Sequence, residues 1–277
     1  MDPSTSIGFH KLVGAGNDFI FIDLRAPSRK QLFLRLTKNV SRSRLARRLC
    51  QRQEGVGGDG VVFIEASAKS DFRWDFFNSD GSEADMCGNA ARCAVRLNEK
   101  KSNTTLEFET KRGVLRGRSL SKDLVLVQLP RPKLITKRLS LVVQGKKVIG
   151  DFIDSGVPHF VVETNWSINK TPSREMAKRI QNHRVFGKSK TNVTFVSKRS
   201  SGARKTITYE RGVCDFTKSC GTGALAAGFY LSAESKKKIK LKTPGGPLVV
   251  QFIEDRCLLI GSAVKVFSGF LTKEQLK

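Results

Sequence analysis

Long apolar runs are missing from this 277-residue sequence. Runs such as Leu258-Leu259-Ile260 fall far short of the roughly 20 residues that span a membrane. The opening residues, Met1-Asp2-Pro3-Ser4-Thr5-Ser6, carry neither a basic segment nor an apolar one behind it. A soluble cytoplasmic protein with no membrane partner is therefore expected. Cys-x2-Cys pairs are also missing. Six cysteines stand at 50, 87, 93, 214, 220 and 257, and the two C-x5-C pairs among them do not have zinc spacing. Six helical positions rotate a side chain by roughly 240°, so each pair would diverge rather than pinch an ion. Neither a metal site nor a structural disulfide is expected. Acidic residues are scarce, 25 against 50 lysines and arginines, for a net charge of +25. The excess is spread over Arg42-Ser43-Arg44, Arg47-Arg48, Lys198-Arg199, Arg204-Lys205 and Lys236-Lys237-Lys238 with Lys240 and Lys242. Such charge suits a polyanion partner. It comes without RNP-like aromatics, a zinc finger or a helix-turn-helix signature. A solvated basic surface is the expectation, and nucleic acid is not an expected partner.

Short β-branched stretches dominate what is present. They include Phe19-Ile20-Phe21-Ile22, Val61-Val62-Phe63-Ile64, Leu124-Val125-Leu126-Val127, Phe160-Val161-Val162, Val193-Thr194-Phe195-Val196 and Leu248-Val249-Val250. Their length and the Gly, Asn, Asp and Ser between them predict strands. Helices are predicted over about Val40 to Gln51, after Cys87, over Ser173 to Asn182 and after Cys220. The fold class is α+β with much sheet. An ordered repetition runs through it. Gly16-Asn17-Asp18-Phe19, Val61-Val62-Phe63 and Cys87-Gly88 are followed, in the same order and at nearly the same spacing, by Val157-Pro158-His159-Phe160, Val193-Thr194-Phe195 and Cys220-Gly221. Each Cys-Gly opens an alanine-rich stretch. Two similar halves are expected, 1–131 and 132–263, with a linker at Arg131-Pro132-Lys133.

The two cysteine blocks carry the chemistry. A cysteine at a helix N-terminus meets unpaired backbone N–H groups and the positive end of the macrodipole, both of which favour a thiolate. The glycine after it lets a ligand approach the backbone, and the same N–H groups can hold a carboxylate. Two such blocks facing each other, Cys87-Gly88-Asn89 and Cys220-Gly221-Thr222, would place a sulfur on either face of an amino acid's α-carbon. One thiolate would then remove the α-proton and the opposite thiol would return one, inverting the centre. His159 and Glu210 are candidates for tuning a thiol pKa, and Arg211 for a carboxylate clamp. Cys50, Cys93, Cys214 and Cys257 read as small structural side chains.

These residues resemble the diaminopimelate epimerase family along nearly the whole chain. The likeness runs through Phe9-His10-Lys11, Gly16-Asn17-Asp18-Phe19, Gly55-Val56-Gly57-Gly58-Asp59-Gly60 and Phe77 to Cys93. It continues through Gly156-Val157-Pro158-His159, Thr191-Asn192-Val193, Tyr209-Glu210-Arg211-Gly212, Ser219-Cys220-Gly221-Thr222-Gly223 and Ala263-Val264-Lys265-Val266-Phe267. The resemblance implies two pseudo-symmetric domains, each a curled, mostly antiparallel sheet around a central helix, with the active site in the interdomain cleft. The first domain would be completed by about 264–277. No cofactor, neither pyridoxal phosphate nor a metal, is implied. The reaction would interconvert LL- and meso-diaminopimelate in lysine and peptidoglycan precursor synthesis. By matching position, Cys87 and Cys220 would be catalytic. Asn17, Asn78, Asn192, Glu210 and Arg211 would bind substrate, with Gly88-Asn89 and Gly221-Thr222 as carboxylate cradles. A homodimer is the expected assembly. Val157, Gly60 and Phe216 depart from the common pattern, and Val157 and Gly60 are expected to remove polar contacts to substrate. The alternatives are a related racemase of relaxed choice, for glutamate as an example, and a polyanion-binding protein on an idle scaffold.

Overall fold

A computed structural model describes residues 5–99, 104–165, 172–198, 203–232 and 238–277. Arg199 and Lys236-Lys237 of the basic clusters lie outside them. The chain separates into two compact units, 1–127 with 262–277 and 128–261. The sequence reading had put these boundaries at 131 and 264. The chain leaves the first unit inside one strand, Leu124–Pro130, and re-enters it inside another, Arg256–Ser262. The proline pair at 130 and 132 is thus a connection between strands of the second unit.

The first unit begins with strands β1 (Ile7–Gly14) and β2 (Asn17–Asp23), then helices α1 (Pro27–Leu36) and α2 (Arg42–Cys50). Strands β3 (Gly60–Glu65), β4 (Phe72–Asn78) and β5 (Glu83–Ala84) precede helix α3 (Gly88–Asn98). Strands β6 (Leu106–Thr110), β7 (Gly113–Ser119) and β8 (Leu124–Pro130) follow. The second unit has β9 (Lys133–Val143), β10 (Lys146–Asp154), β11 (Pro158–Thr164) and α4 (Arg174–Gln181). It continues with β12 (Asn192–Ser197), β13 (Arg204–Glu210), β14 (Asp215–Thr217), α5 (Gly221–Ser232), β15 (Ile239–Thr243), β16 (Gly246–Ile253) and β17 (Arg256–Ser262). The chain ends in β18 (Val264–Leu271) and α6 (Lys273–Leu276), both in the first unit.

The same order of pairing is written twice. In the first unit β1–β2 is antiparallel, β2–β3 parallel, β3–β4 and β4–β5 antiparallel, β4–β6 parallel and β6–β7 antiparallel. In the second, β10–β11, β11–β12, β12–β13, β13–β14, β13–β15 and β15–β16 repeat that series of orientations. The parallel pairs need crossovers, which α1 with α2 and then α3 supply in one unit, and α4 and then α5 in the other. The fold is α+β and mostly sheet.

The repeated apolar strings become the buried strands. All six residues of β3 and all six of β12 are buried, as strands covered on both faces should be. Helix α3 packs on β1, β2, β7 and β18, and α5 packs on β10, β11, β12, β13, β15 and β16. Each is therefore the central helix of its own unit. Their small residues allow this, since Ala90, Ala91 and Ala94, like Ala224, Ala226 and Ala227, are buried with almost no exposure. Several basic residues are paired with carboxylates. Glu65, 3% exposed at its side chain, is held by Lys30 at 2.7 Å, Arg73 at 3.0 Å and Arg42, and Arg42 also binds Asp75. Arg204 pairs with Glu163. Arg44, Arg47 and Arg48 on α2 remain exposed.

Candidate active site

Cys87 and Cys220 occupy the same local setting in their respective units. Cys87 caps α3 with extended backbone (φ −138°, ψ 119°), and its carbonyl accepts from the Ala91 N–H at 2.8 Å. The Cys220 carbonyl accepts from the Ala224 N–H at 2.9 Å. Both thiols are half-buried and reduced. Gly88 and Gly221 are the first helical residues and are buried.

Around Cys220 the second unit builds a chain of hydroxyl groups and one imidazole. Cys220 Sγ lies 3.3 Å from Thr222 Oγ1 and accepts from the Gly223 N–H at 3.4 Å. Thr222 Oγ1 is 3.0 Å from His159 Nε2, while His159 Nδ1 is 2.8 Å from Thr194 Oγ1. Thr194 Oγ1 is in turn 3.0 Å from Thr208 Oγ1. His159 therefore reaches the thiol through Thr222. Burial, aided by the Arg211 charge, pushes the imidazole down to about 3, so it is neutral at working pH and acts by hydrogen bonding alone. The Cys220 thiol is pushed well above its ordinary value, first by burial and then by the Glu210 carboxylate, to which it also hydrogen-bonds. Thr222 and the Gly223 N–H work in the opposite direction. Glu210 is held in place by the Thr217 hydroxyl at 2.5 Å. Gly223 has a packing reason to be glycine, since a Cβ there would collide with Thr208 Oγ1 and lie 3.2 Å from Cys220 Cβ.

Asn192 braces this site. Its carbonyl oxygen accepts from the Arg211 N–H at 2.9 Å and its amide donates to Pro158 O at 3.2 Å. The Arg211 guanidinium donates to Ser189 O at 2.9 Å.

The first unit surrounds Cys87 differently. Asn89 donates to Asn17 Oδ1 at 2.9 Å, and Asn17 donates to Asp59 Oδ2 at 2.9 Å. Asp59 also accepts from the Asp18 N–H at 3.1 Å and from Arg52 at 2.9 Å. Lys11, buried, pairs with Asp18 at 2.7 Å. Burial opposes ionisation of Asp18, but Arg52 and Lys11 win and hold its carboxyl well below the usual range. Asn78 lies apart from this row and donates to Ser82 Oγ at 3.0 Å in the turn after β4. Arg92 sits wholly buried in α3 and donates to Asn89 Oδ1 at 2.7 Å. Neither Arg92 nor the Thr194–Thr208 pair is singled out by the sequence reading. The available signal for Arg92 is one cation within a run of alanines.

The remaining cysteines have settings of their own. Burial raises Cys50, Cys93 and Cys257 to about 12, so they stay protonated. Cys214 is exposed, with φ 54° in the turn before β14. No group of three His, Cys, Asp or Glu side chains that could hold a metal occurs among the described residues. A Cβ at residue 60 would fall 2.6 Å from Phe76 Cε2 and 2.7 Å from Phe77 O, so glycine there meets a packing demand. Phe216 packs edge-on to Tyr209 and Phe195, with ring centroids 5.4 and 6.0 Å apart.

A family model described as diaminopimelate epimerase matches residues 9–133 and 152–266. The chain is 40% identical to a diaminopimelate epimerase of Aquifex aeolicus, with 97% of this chain and 99% of that one covered. It is 35% identical to one of a Hydrogenobaculum species, with coverage of 95% and 98%. Among solved structures, a probable proline racemase from Agrobacterium radiobacter superposes with a TM-score of 0.72 at 14% identity, covering 96% of this chain and 93% of that one. A PhzF-family phenazine biosynthesis protein of Bacillus anthracis gives 0.69 at 14% identity, covering 96% and 99%. At such identities these two likenesses speak to the fold alone.

Proposed function

The chain belongs to the diaminopimelate epimerase family and is an isomerase, and from that premise we propose that it interconverts LL- and meso-diaminopimelate, with Cys87 and Cys220 as paired acid and base. The observation that carries this reading is the doubled Cys-Gly helix start, delivered once by each of two repeated units. In the reaction one sulfur, as thiolate, takes the α-proton. Negative charge then spreads into the substrate carboxylate, where the first N–H groups of a helix stabilise it. The other sulfur, as thiol, gives its proton to the opposite face of the α-carbon. The centre is inverted, and the two thiols have exchanged protonation states. Both proton carriers and the anion cradle belong to this chain, and the step calls on no cofactor. Asn17, Asn78, Asn192, Glu210 and Arg211 serve as substrate ligands, with Glu210 suited to an ammonium and Arg211 to a carboxylate.

The reading extends to a cytoplasmic homodimer that takes no nucleic acid as partner. The exposed Val266, Phe267 and Phe270 of β18 support self-association, which sedimentation would measure. For membranes the relevant fact is that no helix among the described residues is long and apolar enough to cross one.

The deciding experiment is turnover in deuterium oxide with LL-diaminopimelate and L-glutamate side by side. Deuterium should appear at the α-carbon of diaminopimelate together with conversion to the meso form. Glutamate, which lacks the distal ammonium, would offer Glu210 no cation to bind and should turn over far more slowly. Equal or better turnover of glutamate would refute the named substrate.

A further inference from the structure

Helix α3 is built of small residues around a single buried cation. Arg92 has no measurable exposure, and no carboxylate pairs with it among the described residues. Its donors go instead to Gly88 O at 3.2 Å, Ser262 O at 3.4 Å and Asn89 Oδ1 at 2.7 Å. The residue at the same distance after the second cysteine is Leu225, equally buried and apolar. A central helix of this fold therefore does not need an arginine there. Burying a guanidinium is costly, and one kept without an ionic partner calls for a use beyond packing.

The hydrogen-bond row that begins at Arg92 supplies one. A guanidinium can only donate, so the Asn89 oxygen must face Arg92. The Asn89 amide nitrogen is then left to donate to Asn17 Oδ1, at 2.9 Å. With its oxygen occupied, Asn17 presents its own nitrogen to Asp59 Oδ2, also at 2.9 Å. An ionised carboxylate can only accept, so the far end of the row is fixed in the same sense. Two amides that could each face either way are thus clamped between an obligate donor and an obligate acceptor. In the second unit Asn192 is set by the Pro158 carbonyl, the Arg211 N–H and His159 Nε2 at 3.4 Å, with no buried guanidinium among its partners.

We propose that Arg92 is a positioning residue that fixes the direction of the Asn89–Asn17 amide row, so that Asn17 turns its second amide hydrogen toward a carboxylate oxygen of the substrate. This rests on the reading of Asn17 and Asn89 as substrate ligands. The charge needed for an obligate donor is present, since burial pushes the Arg92 guanidinium down only to about 10.

The test uses the full chain and two polar replacements, R92K and R92Q. Lysine is still an obligate donor, whereas glutamine can accept as well as donate and so releases the Asn89 end of the row, leaving Asp59 alone to hold its direction. The side-chain amide signals of Asn17 and Asn89 are followed by NMR with 15N-asparagine, and KM and kcat for LL-diaminopimelate are measured beside them. R92Q should speed exchange of both amides and raise KM about tenfold, the worth of roughly one hydrogen bond, with kcat falling less. R92K should lose less on both counts. Unchanged amide signals in R92Q, or a larger loss in R92K than in R92Q, would overturn the proposal. Amides that loosen while KM stays put would uphold the role of Arg92 and instead remove Asn17 and Asn89 from the ligand set. R92M, which can neither donate nor accept, should match or exceed R92Q, and it takes over the test if R92Q does not fold.

Discussion

Cys87 and Cys220 cap corresponding helices, yet the groups around them carry opposite charge. Behind Cys87 is a buried guanidinium and a row of amides ending on Asp59. Beside Cys220 is a carboxylate, Glu210, and a neutral histidine reached through Thr222. A duplicated fold supplies two equal thiols, while a two-base reaction needs them unequal at every instant, one charged and one not. The differences around the two helix starts are of charge, a guanidinium in one unit and a carboxylate in the other. They also show in packing. Three residues into the helices, α3 carries Ala90 where α5 must carry Gly223, because Thr208 occupies the space a methyl group would need.

The strongest way to break the comparison is to remove one thiol. Cys87→Ala and Cys220→Ala should each cut conversion of LL- to meso-diaminopimelate by about 10²–10⁴-fold, the usual worth of an acid–base group. A loss below about tenfold in either variant would end the two-base scheme. Gly223→Ala comes next. The added methyl group meets Thr208, so thermal unfolding should register a loss of about 1–3 kcal/mol, and the displaced Cys220 should lower activity with it. The matching change in the other unit, Ala90→Gly, should cost about 1 kcal/mol from helix propensity. A Gly223→Ala variant as stable as the parent would deny the asymmetry. The smallest effect sharpens it. In Glu210→Gln the negative charge that helps hold Cys220 as a thiol is gone, so its pKa falls and its thiolate fraction at a given pH rises. Alkylation of Cys220 by iodoacetamide at mildly alkaline pH should quicken, with Cys87 as the reference in the same digest. An unchanged or slower rate would mean that burial alone sets this thiol.

Much of the fold was legible because it is written in short apolar strings. β2, β3, β11 and β12 lie where those strings lie, and the helices after the two cysteines follow from their alanines. Where an element buries little, the sequence shows little. α1 buries only Phe33 and Leu36 among its charged residues, and β9 leaves most of its length exposed, so neither announces itself. The cysteine blocks could be picked out because Cys-Gly before alanines is a rare and repeated string. Arg92 and the Thr194–Thr208 pair could not, since what they touch depends on side-chain placement in the fold and not on any repeated string. Gly60 taught the reverse lesson, for a glycine read as a lost contact is set by the ring of Phe76.

The return of β18 to the first unit has a consequence for synthesis. β18 pairs with β1 along most of its length, and Arg92 takes one of its acceptors, Ser262 O, from the segment just ahead of β18. The half translated first therefore cannot finish folding until the last residues have left the ribosome, whereas the half translated second is continuous and lacks nothing once it has emerged. N-terminal domains generally fold first during synthesis. In this chain the order of completion is reversed, and the row of groups beside Cys87 is among the last parts to be assembled.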